Sequence, residues 1–443
     1  MSALDLTLLM AAVATALFFP RRAAVAAVLA LAVLQIWAET LYWHFAPLYL
    51  LLVVIAVWPE RRTRGARASR LILSLLAIAP WCAVVPVPIL PRPSGSHAVG
   101  SRVYRWVDSS RAEAATDAPD DRRNVIVQAW YPAASTAPGD RVPYLDGLGH
   151  LPPYVSVMPR AVMQYYGAID THARRDAAPA TGRWPVIVFS PGYGAARAFY
   201  AGLLAELASR GYVVLALDHP YEAALTELAN GTLVTPIERF DPNERDRTQY
   251  MARQLAVRTA DVRFVLDRLR TTADLASHLD TTRVAVIGHS FGGATAAQAA
   301  VDDPRVTAAV NIDGTLYGTL PQRTLARPFL LIESDLAHAH GARYLDGNGQ
   351  LLQHRSAAAY RFELQHANHY TFTDLPSLLA WPARQVLARF LGGTRNAAET
   401  QRTVADLISA FLASAAGGAD DVERVAHRHP QLRGGKLGDV AAR

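Results

Sequence analysis

The order of apolar and polar positions splits this 443-residue chain into two regimes. Through the first 90 residues the apolar side chains crowd into four runs, roughly 3–19, 23–38, 41–58 and 71–90, each of 16 to 20 residues. That length is near the lower limit of about 17 to 20 residues for a helix that crosses a bilayer. Pro47, Pro80, Pro86 and Pro88 would kink or end the third and fourth runs, which membrane helices tolerate. Trp37, Tyr42, Trp43, Trp58 and Trp81 lie near the run ends, as in an aromatic belt. The pattern predicts about four transmembrane helices in residues 1–90. The start MSALDLTLL has no positive leader and no small-residue cleavage site, so the first run reads as a span rather than a cleaved signal.

After residue 100 the pattern changes to short β-rich runs alternating with helical ones. VYRWV at 103, NVIVQAWYP at 124, VIVFS at 186, VVLALD at 213, VAVIG at 284, VTAAVNID at 306, FLLIES at 329 and AYRFEL at 359 read as strands. Between them, 198–210, 250–269, 291–301 and 376–391 have helical periodicity. Nearly continuous apolar strands separated by helices predict an α/β fold, a mostly parallel sheet covered on both faces. Residues 91–100, PRPSGSHAVG, read as a linker. Residues 101–416 form the expected catalytic domain, and 417–443 a polar, peripheral tail.

Composition sharpens this picture in three places. Hydrophobic residues make up 51% of the chain and charged ones 19%, in keeping with a membrane segment joined to a water-exposed domain. The net charge of +6 comes almost wholly from Arg, with no basic face interleaved with aromatics, so no nucleic-acid partner is expected. The single cysteine, Cys82, rules out an intrachain disulfide and a Cys-based metal site. Seven Arg fall between runs one and two (Arg21, Arg22) and between runs three and four (Arg61, Arg62, Arg64, Arg67, Arg70), while the turn around Glu39 has none. Positive residues stay inside, so both termini are expected outside the cytoplasm, in the periplasm of a Gram-negative cell.

The sharpest chemical signal is Gly288-His289-Ser290-Phe291-Gly292-Gly293, between the strand VAVIG and a helical run. It fits the G-x-S-x-G nucleophile elbow of an α/β-hydrolase, in which a strained strand-to-helix turn presents the serine. A serine nucleophile needs a base, and the base needs an acid to orient it, in the chain order Ser, acid, His. His338, His340, His354, His366 and His369 follow Ser290; His369, past the last strand, is the expected base. Asp313 and Asp335 each follow a strand, and the pattern leaves the choice open. The oxyanion hole should combine the N–H of Phe291 with one from Ser190-Pro191-Gly192-Tyr193-Gly194, for which Tyr193 is expected.

Taken together these segments resemble the type II platelet-activating-factor acetylhydrolase family over roughly residues 100–395. VFSPGYGAARAFYAGLLAELASRGYVVLALDH is similar to the family's oxyanion-loop segment, although Pro191 stands where the family usually has His. GHSFGG matches its elbow, which implies Ser290, and the family's acid closes the next strand, which implies Asp313 over Asp335. His369, followed by Phe372 and Asp374, is similar to the family histidine. More distant polyester-hydrolysing and cutinase-like relatives take the acid from the later strand, which keeps Asp335 in view. The resemblance implies a serine ester hydrolase acting on short-acyl or oxidised phospholipids or other small lipophilic esters, without metal or organic cofactor. A membrane sensor with a vestigial hydrolase domain, and a thioesterase or amidase on the same triad, are the competing expectations.

Overall fold

The computed structural model describes residues 3–18, 21–38, 45–57, 63–84, 88–134, 139–145, 166–167, 169–239, 246–272, 274–335, 342–378, 395–419 and 421–438. Two compact units emerge. One holds 1–88 with 148–169 and 379–384; the other holds the rest of the chain. Tyr166, which the sequence pattern put in the catalytic domain, packs on the apolar cluster of the N-terminal helices.

Those helices are α1 (Ala3–Leu17), α2 (Arg22–Ala38), α3 (Ala46–Val57) and α4 (Arg64–Val84), close to the four apolar runs. Leu8, Ala12, Val28, Leu48, Leu51 and Ile55 form their shared interior. Buried Gln35 of α2 accepts a hydrogen bond from Tyr49 of α3 at 3.0 Å. Two features differ from expectation. The fourth helix begins at Arg64, so Arg67 and Arg70 lie on it rather than in a loop. The helices contain 15, 17, 12 and 21 residues, and among the described residues none is long and apolar enough to cross a membrane.

The second unit is built on one ten-stranded sheet. Its strands are β1 (Ala98–Ala112), β2 (Arg122–Ala133), β3 (Ala173–Arg175), β4 (Trp184–Ser190), β5 (Val213–Asp218), β6 (Leu279–His289), β7 (Ala308–Ile312), β8 (Phe329–Glu333), β9 (Ala359–Leu364) and β10 (Leu432–Lys436). In space they run β10-β9-β8-β7-β6-β4-β5-β2-β1-β3. The six central strands, β9 through β5, are parallel, whereas β2 joins β5, β1 joins β2 and β10 joins β9 antiparallel. Every residue of β5, β7 and β8 is buried, as a parallel strand covered on both faces requires. The covering helices include α5 (Ala201–Ser209), α6 (Arg247–Arg268), α7 (Phe291–Asp302), α8 (Ala342–Gln353) and α9 (Ala397–Ala415). Asp246 caps α6 by accepting from the N–H groups of Thr248 and Gln249, and Asn396 caps α9 in the same way.

Two boundary expectations need correction. Residues 417–443 are not simply a peripheral tail, because Leu432–Lys436 adds an antiparallel strand to β9 and forms that edge of the sheet. Gly434, at φ +124°, lies so near Arg361 O that a side chain there would collide with it, so glycine here is a packing requirement rather than a sign of looseness. Residues 91–100 are likewise seated rather than free. The Ser94 N–H donates to Glu206 at 2.7 Å, the Gly95 N–H donates to Ser209 Oγ at 3.0 Å, and β1 already begins at Ala98.

The helix α9 escaped sequence recognition, yet its Phe411 is fully buried and meets Tyr360 of β9 edge to face at 6.0 Å. Removing that ring should leave a cavity costing about 3 to 5 kcal/mol. Urea unfolding of Phe411→Ala is expected to show a loss in that range, and a loss below about 1 kcal/mol would mean that α9 is not docked as described.

Candidate active site

The five adjacent parallel strands β4, β6, β7, β8 and β9 end on one edge of the sheet, and every expected site residue lies at or just past one of those ends. Ligand sites of open α/β sheets occupy that carboxyl edge. The arrangement begins with the turn between β6 and α7. Ser290 has φ +56° and ψ −123°, a conformation that a residue bearing a side chain seldom adopts. Its neighbours make the strain sustainable. A Cβ at Gly288 would lie 2.0 Å from Gly292 O, and one at Gly292 would lie 1.9 Å from Ser190 O. Glycine at both positions lets three backbone segments touch around the serine, whose N–H donates to Ile312 O at 2.8 Å.

Asp313 follows β7, itself at φ +55°. Its Oδ2 accepts from His369 Nδ1 at 2.7 Å, and its Oδ1 accepts from the N–H and hydroxyl of Ser334 at 2.8 and 2.9 Å. Burial favours the neutral acid, but the hydrogen bond and charge of His369 together with the Ser334 N–H outweigh it and hold the carboxyl below its ordinary value. Asp335, at the end of the next strand, points elsewhere. It accepts the N–H of His366 at 2.9 Å and so braces the turn that leads to His369. Asn368 caps the short helical turn His369–Phe372 through a reciprocal pair with Thr371. Of the other histidines, His354 sits at a helix end against Gln350 O, and His338 and His340 lie outside the described residues.

Tyr193 and Phe291 flank the same turn, and their rings meet edge to face at 6.0 Å. Neither backbone N–H has a hydrogen-bond acceptor among the described residues. The Gly192 segment runs against the serine, since a Cβ at Gly192 would lie 3.3 Å from Ser290 Cβ. Two N–H groups without an acceptor, beside a partly buried serine, are the kind of donors that suit a developing negative charge.

Several contributors had no legible signal in the sequence. Buried Asn311 holds both the N–H and the carbonyl of Gly314, and Asn348 donates to that same carbonyl, which fixes the loop carrying Asp313. His289 bridges two loops. Its Nδ1 accepts from the Tyr200 hydroxyl at 2.9 Å and its Nε2 donates to the His369 carbonyl at 2.9 Å. Burial, reinforced by the neighbouring His369, lowers the His289 pKa to about 3, so it stays neutral with a fixed tautomer. His289, Asp313 and His369 gather ligand-type atoms within 4.8 Å, but hydrogen bonds already occupy both His289 nitrogens and the His369 Nδ1.

A second Ser–His–Asp series exists nearby. Ser190 Oγ lies 3.0 Å from His219 Nε2, and His219 Nδ1 lies 2.8 Å from Asp261. All three are closed to solvent, at 0%, 1% and 0% exposed, so no substrate can reach that serine. Ser290 is only partly buried and the His369 side chain is 39% exposed, so both are open to a ligand.

A serine at a strained strand-to-helix turn, an aspartate after the next strand and a histidine past the last parallel strand are the arrangement of the α/β-hydrolase fold. The chain belongs to the alpha/beta hydrolase family, whose model matches residues 187–437. The family model for platelet-activating factor acetylhydrolase, isoform II, matches residues 87–269, in agreement with the motif resemblance. The probable 1-alkyl-2-acetylglycerophosphocholine esterase of Arthroderma benhamiae is 28% identical over 213 residues, which is 46% of this chain and 52% of that protein. The platelet-activating factor acetylhydrolase of Cavia porcellus is 27% identical over 268 residues, 55% of this chain and 61% of its own. The chain therefore spans only about half to three-fifths of these curated relatives. A ferulic acid esterase from Streptomyces cinnamoneus superposes with a TM-score of 0.66 at 27% identity, covering 79% of this chain and 99% of that one.

The neutral His289 has a consequence for stability. Between pH 6.5 and about 3 the unfolded chain carries a proton on this histidine that the folded chain does not, so its contribution to stability falls as pH falls. In chemical denaturation across that window, His289→Gln should show a shallower acid loss than wild type. Equal slopes would mean that His289 is charged in the folded protein.

Proposed function

We propose that this chain is a serine carboxylic-ester hydrolase with Ser290 as nucleophile. The observation that carries the reading is the 2.7 Å bond from His369 Nδ1 to Asp313, formed beside the strained Ser290 turn. With Nδ1 engaged by the carboxylate, His369 Nε2 is the nitrogen left to take the serine proton. Ser290 Oγ then attacks the ester carbonyl, and the N–H groups of Tyr193 and Phe291 stabilise the oxyanion. His369 returns the proton to the departing alcohol, and water, activated by the same histidine, releases the acid from the acyl-enzyme. These steps call on no metal or organic cofactor.

The substrate class we propose is small lipophilic esters, among them short-acyl or oxidised phospholipids. It is supported by the names of the relatives, which are esterases of 1-alkyl-2-acetylglycerophosphocholine, platelet-activating factor and ferulic acid. A panel of p-nitrophenyl acetate, a short-acyl phosphatidylcholine and a feruloyl ester, assayed with wild type and Ser290→Ala, tests both parts. Ser290→Ala and His369→Ala should each lower kcat by about 10³-fold or more. Asp313→Asn should cost about 10³- to 10⁴-fold, because the histidine tautomer is lost. Asp335→Asn, which only loosens the turn before His369, should cost far less. A ranking with Asp335→Asn as the deader variant would overturn the acid assignment.

We also propose that the N-terminal helices seat the chain in a bacterial inner membrane, with the chain beyond residue 90 outside the cytoplasm. Among the described residues, the exposed large apolar side chains lie in the first 89 positions except for Val107, Ile237 and Tyr370. A water-soluble helical bundle would carry polar groups there. The Arg-rich segments after the first and third helices support the orientation. Alkaline phosphatase fused after residue 100 should be active and a cytoplasm-only fluorescent protein dark. The opposite pair of results would place the enzyme in the cytoplasm.

A further inference from the structure

Arg258 of α6 is 1% exposed, and all of its donor nitrogens are engaged. Nε donates to both oxygens of Glu222, at 2.9 and 3.0 Å, and Nη2 donates to Glu222 as well. Nη1 donates to Pro191 O at 2.6 Å and to Ser190 Oγ at 3.2 Å, while Nη2 donates to Gly192 O at 3.2 Å. The guanidinium carbon also lies 4.7 Å from the centre of the Phe291 ring. One buried cation thus touches the carbonyls of the loop before Tyr193 and the side chain of Phe291, the two residues proposed to supply the oxyanion donors.

The consequence follows from peptide geometry. In a trans peptide the carbonyl and the N–H point to opposite sides. The Pro191 carbonyl turns toward Arg258, and the N–H of the same peptide, that of Gly192, turns away and donates to the Tyr200 hydroxyl at 3.0 Å. The Gly192 carbonyl turns toward Arg258 too, where it also accepts from Ala195 N–H at 3.2 Å, and the N–H of that peptide is the one of Tyr193. It points away from Arg258 and has no acceptor among the described residues. A cation on the carbonyl also polarises the amide and strengthens its N–H as a donor.

The surroundings hold the fork in place. Asp261, three residues along α6, accepts from Arg123 and from His219, and His219 in turn meets Ser190, whose hydroxyl Arg258 also touches. The closed Ser190–His219–Asp261 series therefore has a use despite its inaccessibility, as a brace for the end of β4.

We infer that Arg258, paired with Glu222, is a positioning residue that turns the Tyr193 N–H into the oxyanion hole. The inference rests on the proposed roles of Ser290, Tyr193 and Phe291. Removing Arg258 alone would strand the Glu222 carboxylate in the interior, so two substitutions are needed. Arg258→Met with Glu222→Gln removes the charge pair together. Arg258→Lys keeps a cation opposite Glu222 but replaces the planar fork, which reaches two carbonyls at once, with a single ammonium.

The experiment measures kcat and KM of the full chain for p-nitrophenyl acetate, with active sites counted by titration to completion with a fluorophosphonate. A residue that only supports folding would lower the number of titrated sites and leave kcat per site unchanged. A positioning residue lowers kcat per site with little change in KM. The double variant is expected to lose about 10²-fold or more in kcat per titrated site, in the range known for removal of one oxyanion donor. Arg258→Lys should fold and fall in the same direction, and it should bind a trifluoromethyl ketone, which forms the oxyanion on Ser290, correspondingly more weakly. Wild-type kcat per site in Arg258→Lys, or in the double variant, would overturn the inference while leaving the serine mechanism standing. Fluorophosphonate labelling that persists in Ser290→Ala would instead overturn the mechanism, and the inference with it.

Discussion

The close approach of three backbone segments at Gly288, Gly292 and Ser190 is the constraint on which the site depends. No side chain larger than hydrogen fits at either glycine, and the turn between them holds Ser290 at a positive φ. Such strain persists only where the surroundings over-determine it. Here β6 and β4 are hydrogen-bonded in register up to Gly288 and Ser190, and α7 begins immediately after the serine. After Phe291, the small residues Gly292, Gly293, Ala294, Ala296 and Ala297 let α7 settle close to the sheet, and this packing holds Ser290 in its unusual conformation.

Parallel strand order does the rest of the assembly. Because β4, β6, β7, β8 and β9 are neighbours running the same way, residues 190, 290, 313, 334 and 369 reach one edge although the chain between them is long. Each group is then fixed by a partner from another strand end: Asp313 by Ser334 of the next strand, His369 by Asp313 two strands away, and the turn before His369 by Asp335 of the adjacent strand. His289 adds a cross-tie from Tyr200 to the His369 carbonyl, and its neutral ring does so without placing a positive charge there. Arg258 is the matching tie behind the Pro191–Gly192 loop, with its charge balanced by Glu222.

The N-terminal unit follows a different rule. Its helices bury Leu8, Leu48, Leu51 and Ile55 against one another yet also show Met10, Trp37, Val53 and Leu75 on the outside. Apolar residues on every side mean that helix pairing alone does not satisfy these segments. The charged residues on these helices, Asp5, Arg22, Arg64, Arg67 and Arg70, lie in the first two turns of the helix that carries each of them.

Much of this was legible in the amino-acid order. Apolar runs bounded by polar turns determine where strands and helices form, since each strand of a parallel sheet must be apolar on both faces. The elbow motif determines Ser290 and its two glycines, because only that spacing lets a serine occupy so tight a turn. Residue patterns could not choose between Asp313 and Asp335, since both end apolar strands; the choice of partner for His369 depends on where a loop 30 or more residues away comes to rest. They did not pick out β10, a short Gly-rich strand that pairs with β9, or α9, whose buried face at Val404, Leu407, Ile408 and Phe411 meets β9 through Tyr360. Nor could they single out Arg258 among so many arginines. A local pattern determines what a segment can become, whereas the roles of Asp313, His289 and Arg258 are decided by contacts between segments distant in sequence, which only the tertiary structure brings together.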